Sequence, residues 1–167
     1  VTLDFMNNAG LLGLTNITVA LNANSGDDVT VVLNGQTLQL NLQNLTDGQL
    51  IVAGGPTITL TGVSQNTISV TGSNDLSITF GNTADNIVFN DNAAANTSQV
   101  SGTNFVTTTF TNPSNSLSVT LGTNGPSATF TDLDTAFNPA AGVTINGGSG
   151  NDTIVITDLG DTFGNGT

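Results

Sequence analysis

Residues Gly147 to Val155 read Gly-Gly-Ser-Gly-Asn-Asp-Thr-Ile-Val and are the part of the sequence best equipped for chemistry. They fit the nonapeptide spacing G-G-x-G-x-D-x-U-x, in which U is a large apolar residue. Gly147, Gly148 and Gly150 permit a tight turn with positive φ and draw backbone carbonyls together. Asp152 adds a hard, charged oxygen, and Ile154 supplies the apolar side chain of a short strand. A ring of carbonyls with a carboxylate suits Ca²⁺, which takes about six to eight oxygens in flexible geometry.

The step of nine continues on both sides. Asp161 lies nine residues after Asp152, Phe163 nine after Ile154, and Ile145 nine before it. The flanking copies are degraded: Val143 stands where the upstream Asp would be, and Leu159 replaces the second turn glycine downstream. Over Gly142 to Phe163 the sequence resembles the RTX family of secreted bacterial calcium-binding repeats. The resemblance implies a parallel β-roll with Ca²⁺ between successive turns. It points to Gly147, Gly148, Gly150 and Asp152 as ligands, with Asp158 and Asp161 beside them. The turn Asn24-Ser25-Gly26-Asp27-Asp28 has a similar layout and makes Asp27 and Asp28 further candidates. The alternative for the 142–163 stretch is a Gly/Asn-rich hairpin turn that holds no metal.

The residue inventory narrows the partners. The chain has 167 residues, enough for one domain with a real core. It contains no Lys, Arg, His or Cys, and all twelve acidic residues are Asp, for a net charge of −12. Side-chain salt bridges cannot form. Each carboxylate must stay in water, accept from N–H, hydroxyl or amide donors, or bind a cation from solution. Nucleic acid is excluded, because phosphate binding needs Lys or Arg, and anionic membrane surfaces are excluded for the same reason. No apolar run reaches the length of a membrane span, so no membrane insertion is expected. Zero Cys removes disulfides and thiol chemistry. The chain opens on Val1 and closes on Gly164-Asn165-Gly166-Thr167, which reads as the start of another turn, so a longer parent chain is expected.

The elements around the candidate turn read as strands. Thr, Val, Ile and Leu alternate with small polar residues between Gly, Asn and Asp punctuation. Thr57–Thr61, Thr67–Thr71, Ser77–Phe80 and Asn86–Phe89 recur every nine or ten residues. Ile58, Ile68, Ile78 and Ile87 share a face with Leu60, Val70, Phe80 and Phe89. Asn34-Gly35 predicts a two-residue hairpin, and Gly122-Thr123-Asn124-Gly125-Pro126 a further hairpin-like turn. The only helix candidates are single turns at 92–96 and 137–141. The expected fold is all-β. A β-solenoid (parallel β-helix or β-roll), with coils of about 18 to 20 residues, is favoured over an antiparallel β-sandwich. Residues 1–141 form an all-β repeat region, and 142–167 continue the same domain as calcium-binding turns.

The functional expectation is a non-enzymatic, secreted protein of the cell surface. It would be a calcium-stabilised building block of a filament, S-layer or large adhesin. Its partners would be other copies of itself or the rest of a longer parent chain, with surface glycans as a further candidate. Without His, Lys, Cys or Glu a Ser nucleophile has no ordinary base. Two alternatives remain. Thr-x-Thr runs such as Thr57-Ile58-Thr59-Leu60-Thr61 would suit ice binding on a flat solenoid face. Last comes an Asp-dependent polysaccharide-degrading enzyme.

Overall fold

The computed structural model describes residues 1–21, 28–42, 47–62, 67–81 and 85–157. Within them the alternating pattern becomes strands β1 (Thr2–Asp4), β2 (Asn16–Ala20), β3 (Val29–Val32), β4 (Leu38–Leu42) and β5 (Asp47–Val52). These are followed by β6 (Thr57–Thr61), β7 (Ile68–Thr71), β8 (Asp75–Phe80), β9 (Asn86–Asp91) and β10 (Thr97–Ser101). The last five are β11 (Thr108–Thr111), β12 (Ser116–Thr120), β13 (Ser127–Asp132), β14 (Val143–Asn146) and β15 (Thr153–Ile156). No α-helix occurs among the described residues. A 3₁₀ helix, Ala9–Gly13, tucks Leu11 and Leu12 against the core. The sequence reading missed it, and its Gly-bounded Leu-Leu pair gives no helical period. The one-turn helices expected at 92–96 and 137–141 are plain turns, the first with Ala93 and Asn96 at positive φ.

The strands form two mixed sheets. One has the order β1-β3-β7-β11-β10-β9-β13-β15, the other β14-β12-β8-β4-β5-β6-β2. Nine neighbour pairs are parallel and four are antiparallel. The four antiparallel pairs all involve β10 or β5, so each sheet has a single reversed strand. The chain is therefore all-β and combines both strand directions foreseen from the sequence.

Neither Asn-Gly signal makes a hairpin. Asn34-Gly35 lies between β3 and β4, and Asn124-Gly125 between β12 and β13, and each of these strand pairs is split between the two sheets. Both glycines take positive φ, so the turn chemistry was read correctly. The turns carry the chain from one sheet to the other because the flanking strands find partners elsewhere. Parallel neighbours in the middle of the sheets lie 38 to 41 residues apart, against the expected coil of about 18 to 20. The cause is the two meanders, β4-β5-β6 and β9-β10-β11, which each add strands between parallel neighbours. At the C-terminal end, where no meander intervenes, the separation falls to 26 residues.

The core lies between the sheets in continuous apolar rows. One row crosses all seven strands of its sheet as Ile145, Val119, Ile78, Leu40, Leu50, Ile58 and Ile17. In the other sheet a row runs Val29, Ile68, Thr108, Val100, Phe89, Phe130 and Ile156. Phe89 and Phe130 stack within it, with ring centroids 4.5 Å apart. The eight repeat residues expected to share a face, from Ile58 to Phe89, are all buried. One outward row of the seven-stranded sheet is polar and uncharged: Asn146, Thr120, Thr79, Asn41, Gln49, Thr59 and Thr18. Asn41 accepts from Gln39 at 3.2 Å and donates to Gln49 at 3.0 Å, so part of this face is laced by its own amides.

Candidate metal centre

The Gly147–Asp152 segment is a crossing between sheets. Strand β14 adds to β12 at the edge of one sheet, and β15 adds to β13 at the edge of the other. The segment therefore lies directly against the preceding crossing, Leu121 to Pro126. Two backbone bonds pin it there: Leu121 N–H donates to Asn146 at 2.8 Å, and Thr153 N–H donates to Pro126 at 3.1 Å. Gly148 and Gly150 have φ of +80° and +147°. A Cβ on Gly148 would sit 2.9 Å from the Leu121 carbonyl oxygen and 3.0 Å from that of Gly122. A Cβ on Gly150 would sit 2.8 Å from the Thr123 oxygen. The glycines are thus required twice, for backbone conformation and for the approach of three carbonyls.

The Asp152 carboxylate belongs to the same crossing. A Cβ on Gly147 would lie 2.8 Å from its Oδ2, so the carboxylate folds back over the first glycine of the turn. Its Oδ1 is buried and has no hydrogen-bond partner. A buried acceptor without a donor costs about 1–3 kcal/mol, and more when charged. In a chain without Lys, Arg or His, a cation from solution is the natural group to satisfy it. The turn offers oxygen only, which is the donor set of Ca²⁺.

Register exposes a counterpart that the sequence reading did not single out. Ser127 pairs with both Asn86 and Thr153, so Asp85, Pro126 and Asp152 each stand one residue ahead of neighbouring strands. Asp85 is 5% exposed, and its oxygens accept from the N–H groups of Thr103 at 2.8 Å and Asn104 at 3.3 Å. The signal was the Asp immediately before a repeat strand, present at Asp28, Asp85 and Asp152 alike.

The other candidates divide. Asp28 precedes β3, is exposed, and accepts from Thr67 N–H at 2.9 Å. It belongs to the β3–β7 part of its sheet, four strands or more from β15. Asp27, Asp158 and Asp161 lie outside the described residues. Among the described residues no group of three or more His, Cys, Asp or Glu side chains gathers, so any ion here would rely on backbone oxygens. Elsewhere carboxylates have donors. Asp75 Oδ1 accepts from Asn115 and Ser116, each at 2.6 Å, and Oδ2 from Thr37 at 3.2 Å. The Ser116 hydroxyl, the Asn115 amide and the Thr37 hydroxyl hold its pKa below the usual carboxylate value. Asn7 does the same for Asp4. Asp134 accepts from Asn96 N–H, the Asn112 amide and Ala136 N–H.

Among the described residues no helix is long and apolar enough to cross a membrane. No family model, curated protein or solved structure matches the chain.

Proposed function

We propose that this chain is a non-enzymatic structural module of solenoid type, stabilised by Ca²⁺ at the Gly147–Asp152 crossing. The observation that carries the reading is the buried, donorless Oδ1 of Asp152 in a turn pressed against the carbonyls of Leu121, Gly122 and Thr123. Asp152 would supply the anionic ligand and the backbone the neutral ones, with Asp158 and Asp161 as the further ligands that the RTX resemblance implies. The predominance of parallel neighbours supports the solenoid description. A chain without His, Lys, Cys or Glu is poorly equipped for acid–base or nucleophilic catalysis. Together these features suit a secreted building block of a cell-surface filament, S-layer or large adhesin, where extracellular Ca²⁺ is plentiful.

Calorimetric titration tests the metal. The chain should bind Ca²⁺, and Asp152→Ala should bind at least one ion fewer. Equal stoichiometry in the two proteins would remove Asp152 as a ligand.

Ice binding is a second reading, favoured by the uncharged outer row through Thr120, Thr79 and Asn41. It predicts thermal hysteresis that Thr79→Lys abolishes. A solution that freezes without hysteresis would retire it.

A further inference from the structure

The large apolar side chains left exposed are confined to the two ends of the stack. Among the described residues they are Val1, Met6 and Leu14 at one end and Ile154, Val155 and Ile156 at the other. The first three flank β1 and β2, and the last three lie in β15. Strands β1 and β15 are the two edges of one sheet, and β2 and β14 are the two edges of the other. Each end of the molecule therefore offers two unpaired strand edges together with uncovered apolar surface.

Register shows what is missing there. Ile154 pairs with Ala128 and Ile156 with Phe130, both fully buried, so the two isoleucines continue the core rows. They are nevertheless 43% and 37% exposed, because no described strand pairs with the outer edge of β15. At the other end Leu3 continues the row of Val31, and Ile17 that of Ile58. Both are only partly buried.

Strand direction decides how the ends can meet. Reversal at β10 occurs once on each side, so β1 and β15 run the same way. The same argument through β5 makes β2 and β14 parallel. A second molecule stacked in the same orientation would thus place β1 beside β15 and β2 beside β14, with parallel pairing in both sheets. Leu3 and Ile17 would then extend the rows that end at Ile154, Ile156 and Ile145.

We infer that the β14–β15 end of one molecule receives the β1–β2 end of another, extending both sheets into a polar, head-to-tail stack. Such an interface joins unlike surfaces, so it grows as an open filament and does not close as a dimer. Unpaired edges without Lys or a covering strand are ready templates for this addition. The inference rests on the structural-module reading but not on the metal.

Engineered thiols test it in a chain that has no Cys. Thr2 and Val155 lie on the outward sides of β1 and β15, opposite Thr30 and Thr129. The double variant Thr2→Cys/Val155→Cys, treated with a short bis-maleimide in Ca²⁺ buffer, should give a ladder of covalent oligomers. The two single variants should cross-link when mixed with each other and not alone. Adding Ile154→Lys to the double-cysteine variant should abolish the ladder while leaving the melting curve nearly unchanged, because Ile154 is already 43% exposed. Cross-linking of Val155→Cys with itself would mean like-with-like edges and overturn the inference. Absence of any cross-link in folded protein would mean the edges are covered, and would overturn it too. Failure of the calcium reading shows separately, as a melting curve indifferent to chelator.

Discussion

Asp85 and Asp152 stand at equivalent places, one residue ahead of strands that flank the same neighbour, yet they meet opposite surroundings. Asp85 lies within the stack, where the segment after β10 folds over it and supplies two backbone N–H donors. Asp152 lies at the last crossing, where its Oδ1 is buried with no donor at all. The same contrast holds for the apolar row they accompany. Phe130 is sealed between Phe89 and Ile156, whereas Ile156 has a strand neighbour on one side only among the described residues. In a protein without cationic side chains, interior layers neutralise carboxylates with backbone and amide donors. Asp152 Oδ1 lacks those donors, which is why the cation is proposed there.

The largest expected effect sharpens the contrast in the core. Phe130→Ala removes a stacked ring from a sealed row and should cost about 3–5 kcal/mol. Ile156→Ala, one strand further along the same row, should cost about 1 kcal/mol or less because the side chain is already half in water. Chemical denaturation of the two variants measures both. Equal losses would mean that β15 is covered as thoroughly as β13.

The carboxylates come next. Asp85→Ala leaves the Thr103 and Asn104 N–H groups without an acceptor and should cost about 1–3 kcal/mol, with or without Ca²⁺. Asp152→Ala in EDTA should be neutral or slightly stabilising, because it removes a buried charge that lacks a donor. A large loss at Asp152 in EDTA would show that protein donors already satisfy it.

The smallest effect concerns acid. The pKa of Asp75 is lowered in the folded state by Ser116, Asn115 and Thr37. Its contribution is therefore present above the ordinary carboxylate range and is lost as pH falls through the lowered folded value. Asp75→Asn should lower stability slightly at neutral pH and flatten the acid limb, so that the two proteins converge as pH falls. Identical acid limbs in both proteins would show that the hydroxyl and amide donors add nothing.

Much of this could be read from residue order. Alternation gave the strands and the buried faces of Ile58 to Phe89, because a period of two admits one inward set. Glycine spacing located the Gly147–Asp152 turn, because positive φ and close carbonyl approach leave few other residues possible. The partners of the strands were not legible. Asn34-Gly35 specifies a turn, but whether its strands pair or part depends on β7 and β8, near 40 residues away. The same long range hid Asp85. Its donors, Thr103 and Asn104, follow a reversed strand that no local signal distinguishes from its parallel neighbours.

The most direct test of the account is the melting temperature of the wild-type chain and of Asp152→Asn across a Ca²⁺ series that starts in EDTA. Binding to the native state alone adds about 2.7 kcal/mol at a hundredfold excess over Kd. Wild-type melting should therefore climb steadily with Ca²⁺, and the Asp152→Asn curve should lose most of that climb while matching or exceeding wild type in EDTA. A wild-type melting temperature that does not respond to Ca²⁺, or an Asp152→Asn protein that responds in full, would contradict it.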